Sequence, residues 1–395
     1  MNAPAFHYGH SLKPLFHLDS DMVYLNHGAY GATLRDVLDH QNGWVERMEA
    51  QPARFFMNDL PGLIREAVGF LAPEVGADPA NTVMVENATS GVNAILRSLD
   101  FAPGDRIVTT DHVYNAVRNI LRYVTDRAAA EFVEVAVPMP LADPGLLVER
   151  VLAECNSRTR LVVIDHIASP SGIVFPVDEI VRRCHAKGIQ VLVDGSHAPG
   201  MVELDIGKIG ADWYVGNCHK WLGAPKGAAF IVAGVGNDVE IHPSIISHAY
   251  GKGLVAEFAK IGTRDASAWL SVPFALEAHG RLGGRAMRAR NRQLAIAGGR
   301  TVAAELGTEI GAHGDCFGAM TTVRVPAAVD ADHESAATLR EALWSNNRID
   351  AIVAPISGAL WLRLCAYAYN QESDFSYVAT AVRDAIRSAG WKERA

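Results

Sequence analysis

Ile189-Gln190-Val191-Leu192-Val193-Asp194-Gly195-Ser196-His197, with Trp213-Tyr214-Val215-Gly216-Asn217-Cys218-His219-Lys220 a little further on, sets how the whole chain is read. Each is a short apolar, β-rich run that stops at a polar loop. Runs of this kind recur at Thr82–Val85, Arg106–Thr110, Phe132–Val137, Leu161–Ile164, Ile189–Val193, Trp213–Val215 and Ala229–Val232. Between them lie the amphipathic stretches Gly91–Leu99, Ala116–Asp126, Gly145–Glu154 and Val177–Ala186. Near-continuous apolar strands separated by helices predict a mostly parallel sheet buried on both faces, hence an α/β domain with seven strands. After about residue 270 the pattern changes. A long helical stretch, Leu270 to Ala304, carries Arg281, Arg285, Arg288, Arg290 and Arg292. Strand candidates come next at Ala319–Val325, Ile349–Val353 and Ala359–Leu364, then a helix over Ser376–Ser388, which together predict a smaller α+β domain.

The 395 residues carry 36 Lys+Arg against 44 Asp+Glu, and 49% are apolar, so the chain reads as a soluble protein of two or three domains. Mild acidity argues against nucleic-acid binding, because no basic stripe exists to displace counterions from phosphates. Interleaved Leu and Ala make the arginine-bearing helix a solvated surface instead. No apolar run is long enough for a membrane span, and the first residues show no secretory pattern. Cys155, Cys184, Cys218, Cys316 and Cys365 stand far apart without a CxxC pair. Scattered free thiols suit a cytoplasmic location better than a disulfide framework or a metal site.

In a doubly wound sheet, ligands bind outside the carboxyl ends of the strands. Five successive loops at those ends are polar: Glu86–Gly91, Asp111–Tyr114, Asp165–Ser169, Asp194–His197 and Gly216–Lys220. Asn87-Ala88-Thr89-Ser90-Gly91 opens a helix with small residues and free N–H groups, which suits an anion; on that segment alone a plain N-cap is the simpler account. Neither GxxxxGK[ST] nor a GxGxxG after a strand occurs, which speaks against a nucleoside triphosphate and a nicotinamide. Asp194, at a buried strand end, calls for a cation or strong donors. Lys220, desolvated at another, can attack a carbonyl. An Asp–Lys ion pair is the structural alternative, but one cofactor accounts for carboxylate, lysine and anion cradle together: pyridoxal 5′-phosphate.

Thr89, His112, Asp194-Gly195-Ser196-His197 and His219-Lys220 resemble the fold-type I pyridoxal-phosphate enzymes of the class V aminotransferase group. Tyr24-Leu25-Asn26-His27-Gly28, Pro52-Ala53-Arg54-Phe55-Phe56, Asp111–Ala116 and Asn217–Leu222 resemble, more narrowly, its isopenicillin N epimerase-like branch, which includes ergothioneine-pathway C–S lyases. The resemblance implies an N-terminal arm over 1–25, a large cofactor-binding domain over 26–270 and a small α+β domain over 271–395. Lys220 would form the internal aldimine and move the Cα proton, and Asp194 would keep the pyridine nitrogen protonated. His197 and Ser169 would face the 3′-oxygen, and His112, with Tyr114 close by, would stack on the ring. Ala88, Thr89, Asn217 and His219 would surround the phosphate. Thr263, in Ile261-Gly262-Thr263, would reach the neighbouring subunit's phosphate, implying a homodimer with shared active sites. Arg363 would grip the α-carboxylate of an amino-acid substrate, Asn26 and His27 would line the same pocket, and Arg54 would meet a second acidic group.

Persulfide-forming cysteine desulfurases carry a nucleophilic cysteine shortly before the carboxylate-binding arginine, whereas Ser345 to Leu362 contains none, which disfavours that chemistry. What remains is an enzyme acting at Cα or Cβ of an amino acid, by epimerisation or by C–S β-elimination. Tyr30, Tyr114 and His112 are candidate donors to the far face or leaving group. A class V aminotransferase exchanging its amino group with a keto acid is the alternative. A nicotinamide dehydrogenase would show the glycine fingerprint, and a non-catalytic homologue would lack Lys220 or Asp194.

Overall fold

The seven predicted runs form one sheet in a computed structural model that describes residues 7–393. In chain order the strands are β1 (Val23–Tyr24), β2 (Thr82–Val85), β3 (Arg106–Thr110), β4 (Glu131–Val135), β5 (Thr159–Asp165), β6 (Gln190–Asp194), β7 (Trp213–Asn217) and β8 (Ala229–Ala233). The large sheet runs β2-β8-β7-β6-β5-β3-β4, and β8 is antiparallel to both of its neighbours while the other pairs are parallel. Val191, Leu192 and Val193 have no exposed surface, because helices cover both faces. Each such side chain contributes roughly 1.5–3 kcal/mol by leaving water. A one-residue slip of β6 would draw the Asp194 carboxylate into that hydrocarbon layer, so burial pins the register. The ends of β5 and β6 are therefore level, with Asp165 paired to Asp194.

The C-terminal part is built on β9 (Met320–Arg324), β10 (Ile349–Asp350), β11 (Ile352–Ile356) and β12 (Ala359–Cys365). An antiparallel sheet, β11-β12-β9, packs against helices Gly284–Leu306, His333–Asn347 and Glu372–Ser388 around a core of its own. Two predicted elements are divided. Ile349–Val353 splits at the buried Ala351, since Ile349–Asp350 pairs in parallel with Val23–Tyr24 and the rest joins β12. That pairing ties the N-terminal segment, whose residues 1–6 lie outside the described range, to the C-terminal sheet system.

The single helix expected over Leu270–Ala304 is three: Ser267–Leu270, Val272–Arg281 and Gly284–Leu306. The main break falls at Gly283, whose φ of +106 is open only to glycine. The room left by its missing side chain is taken by the Tyr8 hydroxyl, which donates to Leu282 O at 3.0 Å. The basic residues after the break engage the chain itself: Arg285 pairs with Glu203, and Arg290 donates to the carbonyls of Tyr367 and Asn370. Among the described residues no helix is long and apolar enough to cross a membrane.

Gly283→Ala should lower the urea midpoint. A Cβ there meets Tyr8 Oη at 2.3 Å in a backbone region closed to alanine, a combination that costs on the order of 1–3 kcal/mol. Unchanged unfolding would show that the helix break does not depend on this glycine.

Candidate active site

Two joined cavities open beyond the carboxyl ends of the large sheet. An inner one of about 420 Å³ is lined by Asn87, Ala88, Thr89, Asp165, Asp194, Ser196, His197, Asn217 and His219. An outer one of about 490 Å³ reaches the small sheet through Ile352, Ala354, Ser357 and Arg363 and is also lined by Asp111, His112, Asn115 and Arg118. Ala29, Tyr30, Tyr114, Ser169 and Lys220 line both.

Lys220 stands where the cavities meet. Burial pushes its amine down to about 8, Arg363 acts in the same direction and Asp194 opposes it. Trp221 Nε1–H points at His197 Nδ1 from 3.5 Å, which leaves the His197 proton on Nε2, 3.3 Å from Lys220 Nζ. Burial and the neighbouring cations hold His197 well below the ordinary imidazole range. Once the amine has lost its proton, a neutral imidazole donating to it satisfies both groups.

The backbone of the lysine loop is clamped from the N-terminal segment. His27 Nε2 lies 3.2 Å from Lys220 O, and its Nδ1 lies 2.8 Å from Tyr369 Oη. Gly31, with φ +72, lies so close that a Cβ would meet His219 O at 2.3 Å and Lys220 O at 2.6 Å. Only glycine permits that approach.

Asp194 ends β6, and the Ser196 N–H and Oγ–H both donate to its Oδ1, an Asx-type turn that leaves the other oxygen for a ligand. Also on the inner cavity, helix Ala88–Ser98 begins with Asn87 as its N-cap, its side chain accepting from Ser90 N–H at 2.8 Å. Asn217 Oδ1 accepts from Ala88 N–H at 2.9 Å, which turns its amide N–H₂ away from that contact. Thr89 N–H and the Asn217 amide are donors suited to an anion at a helix N-terminus. His219, held through Nδ1 at 2.8 Å from Ala228 O, lines the same cavity.

Arg363 is buried in β12. Its Nη1 donates to Ser169 O and its Nη2 to Asn26 Oδ1 at 3.0 Å, while Nε has no partner. Asn26 is fixed in turn by donating to Asp350 Oδ1 at 2.9 Å. A rigid guanidinium with spare N–H groups is suited to a carboxylate.

The site therefore gathers Lys220, Asp194, His197, Ser169, Ala88, Thr89, Asn217, His219, Tyr114 and Arg363 around one space. His112 lines the outer cavity; burial lowers it to about 4, its Nδ1 lies 3.0 Å from Ser171 Oγ and its Nε2 has no partner. Four of the expected residues line neither cavity of this chain. Asn26 and His27 line neither cavity and stand one layer behind it, because one secures Arg363 and the other the lysine loop. Arg54 and Thr263 are exposed and line neither cavity of this chain. Asp165, which the sequence placed on the polar rim without a role, and Arg118, which sequence reasoning passed over, also line the cavities. Asp165 had a signal, since like Asp194 it closes an apolar run; Arg118 had none. No cysteine lines the joined cavities; the Cys365 thiol is buried, pushed up, and accepts from Gly28 N–H at 3.4 Å.

A carboxylate, an amine of lowered pKa and a helix-start anion cradle in one cavity fit pyridoxal phosphate. Residues 23–332 match the family described as aminotransferase class-V. The chain belongs to that family. It is 32% identical to an isopenicillin N epimerase of Streptomyces clavuligerus over 384 residues, 92% of this chain and 95% of that protein. It is 29% identical to a probable chloroplastic L-cysteine desulfhydrase of Arabidopsis thaliana over 402 residues, covering 94% and 84%. Among solved structures, a C-DES mutant with glycine covalently linked to its PLP cofactor superposes with a TM-score of 0.77 at 20% identity, covering 92% of this chain and 97% of the other. At that identity the match shows the shared fold of this class V member.

Acylation of Lys220 by an amine reagent, followed by peptide mass mapping on protein stripped of bound aldehyde, should rise with pH through a midpoint near 8. Asp194→Asn should move that midpoint lower, because the Asp194 charge favours the protonated amine. A midpoint in the ordinary lysine range would contradict the desolvated amine.

Proposed function

We propose that this class V enzyme holds pyridoxal 5′-phosphate through Lys220 and uses it to remove the α-proton of an amino acid and expel a sulfur-linked β-substituent. The bound cofactor supplies an electron-withdrawing ring for the carbanion. Asp194 would pair with the ring nitrogen, and Ala88, Thr89, Asn217 and His219 would hold the phosphate. His197 and Ser169 would face the 3′-oxygen, and His112 the ring. Arg363, braced by Asn26, would bind the substrate carboxylate, and Lys220, its carbonyl held by His27, would carry the proton. The chain would work as a cytoplasmic homodimer, with Thr263 and Arg54 serving the partner's site, a reading that suits their exposure here.

The observation that carries elimination is Lys220, a buried amine of lowered pKa standing where the two cavities meet. Lys220 can take the α-proton and return it to a departing thiol or sulfenate, whereas epimerisation needs an acid on the other face. His112, which the resemblance stacks on the ring, is held by burial below the ordinary imidazole range, which makes it a poor acid, and its Nδ1 meets Ser171. Tyr114, half exposed and lining both cavities, is the observation that favours epimerisation as the second reading.

Reaction in D₂O with a panel of amino acids, S-substituted cysteines and their sulfoxides separates the two. Pyruvate from a thioether or sulfoxide is the expected result; α-hydrogen washout without pyruvate would favour the epimerase, and Lys220→Ala should abolish both. Arg363→Lys should raise KM about tenfold or more through loss of a bidentate contact, leaving the absorbance of the lysine-bound cofactor unchanged. Sedimentation equilibrium should give a two-chain particle.

A further inference from the structure

Asp165 is a carboxyl group for which the proposed reaction has no task. It closes β5 directly beside Asp194 at the end of β6, in parallel register, so both side chains emerge on the same face of the sheet. Both line the inner cavity, and both are almost wholly buried, at 3% and 4% exposure. Their hydrogen bonding differs. Asp194 Oδ1 receives two donors from Ser196, which stabilise an anion. Asp165 Oδ2 is buried without a partner. Two adjacent buried carboxylates cannot both ionise at low cost.

We propose that Asp165 is a neutral carboxylic acid of the cofactor site, so that the ends of β5 and β6 together carry one negative charge, placed on Asp194. The inference rests on the proposed binding of pyridoxal phosphate. The cavity then offers a single anion to a single ring cation, with a carboxyl O–H beside it as a hydrogen-bond donor. The charges that act on Asp165 are Asp194 from β6, Arg118 from helix Asn115–Ala128 and Lys220 from the loop after β7, and the neutral His197 and His219 share its cavity. Burial and the Asp194 charge raise Asp165 well above the ordinary carboxylate range, against the two cations. Asp165 is thus a positioning residue: it keeps the charge on Asp194 rather than touching the reacting carbon.

The test is difference infrared spectroscopy of the pyridoxal-phosphate-loaded protein at neutral pH, wild type minus Asp165→Asn. A protonated-carboxyl band present in wild type and lost in the variant is expected. In Asp194→Asn the band should disappear at lower pH than in wild type, because the neighbouring charge is gone. Cofactor affinity, read by visible absorbance, should stay within about threefold in Asp165→Asn, which keeps a neutral donor, and weaken about tenfold in Asp165→Leu, which removes it. No such band in wild type, a band insensitive to Asp194→Asn, or equal weakening by Asn and Leu would overturn the proposal. Should Asp165→Asn fail to fold, the shift in Asp194→Asn still decides. Failure of the wild type to bind the cofactor would overturn the functional reading instead, and the infrared band of the unloaded protein would still report on Asp165.

Discussion

Taking the Lys220 amine out of water beside Asp194 is the constraint on which the rest of the site depends. A desolvated lysine is useful only as a free amine, and a desolvated carboxylate persists only where donors and a cation meet it. The fold supplies those conditions with backbone rather than with mobile side chains. Parallel strands of near-continuous Val, Leu and Ile bring Asp165, Asp194 and Asn217 to one edge, and the apolar layer beneath forbids any other register. Ser196 bonds Asp194 from within the same turn, so its orientation is settled locally.

From the other side, the N-terminal segment and the small sheet close on the same loop. His27 reaches Lys220 O, Gly31 packs against its backbone, and Asn26 secures Arg363. Val23–Tyr24 joins Ile349–Asp350 just before these residues, so the segment that braces the lysine is itself held by the C-terminal part. Lysine and arginine are thereby positioned by shared neighbours, which suits a substrate gripped at its carboxylate while its α-carbon is deprotonated at the lysine.

Much of the fold was legible because hydrophobic runs and polar loop ends report burial directly. Asp194 and Lys220 stood out as ionisable residues at strand ends, whereas Asn87–Gly91 read as an anion cradle only once those two were set beside it, and His197 took its role from the family resemblance. The helix break at Gly283 was not legible, since it depends on Tyr8 arriving from far away in the chain. For the same reason the contacts by which His27 holds the lysine loop and Asn26 secures Arg363 were not legible.

Sequence by itself determined the seven-stranded α/β layer, the small C-terminal domain and the chemistry gathered at the strand ends. Each of these comes from local periodicity and from the rule that buried charge must sit where apolar runs stop. Tertiary structure alone decided which of those groups share a cavity and which stand behind it, and how Lys220 loses its hydration. It also set two carboxyls, Asp165 and Asp194, side by side, leaving one of them without a partner. Those properties depend on distances between residues remote in the chain, and desolvation is a property of the surroundings that no residue carries alone.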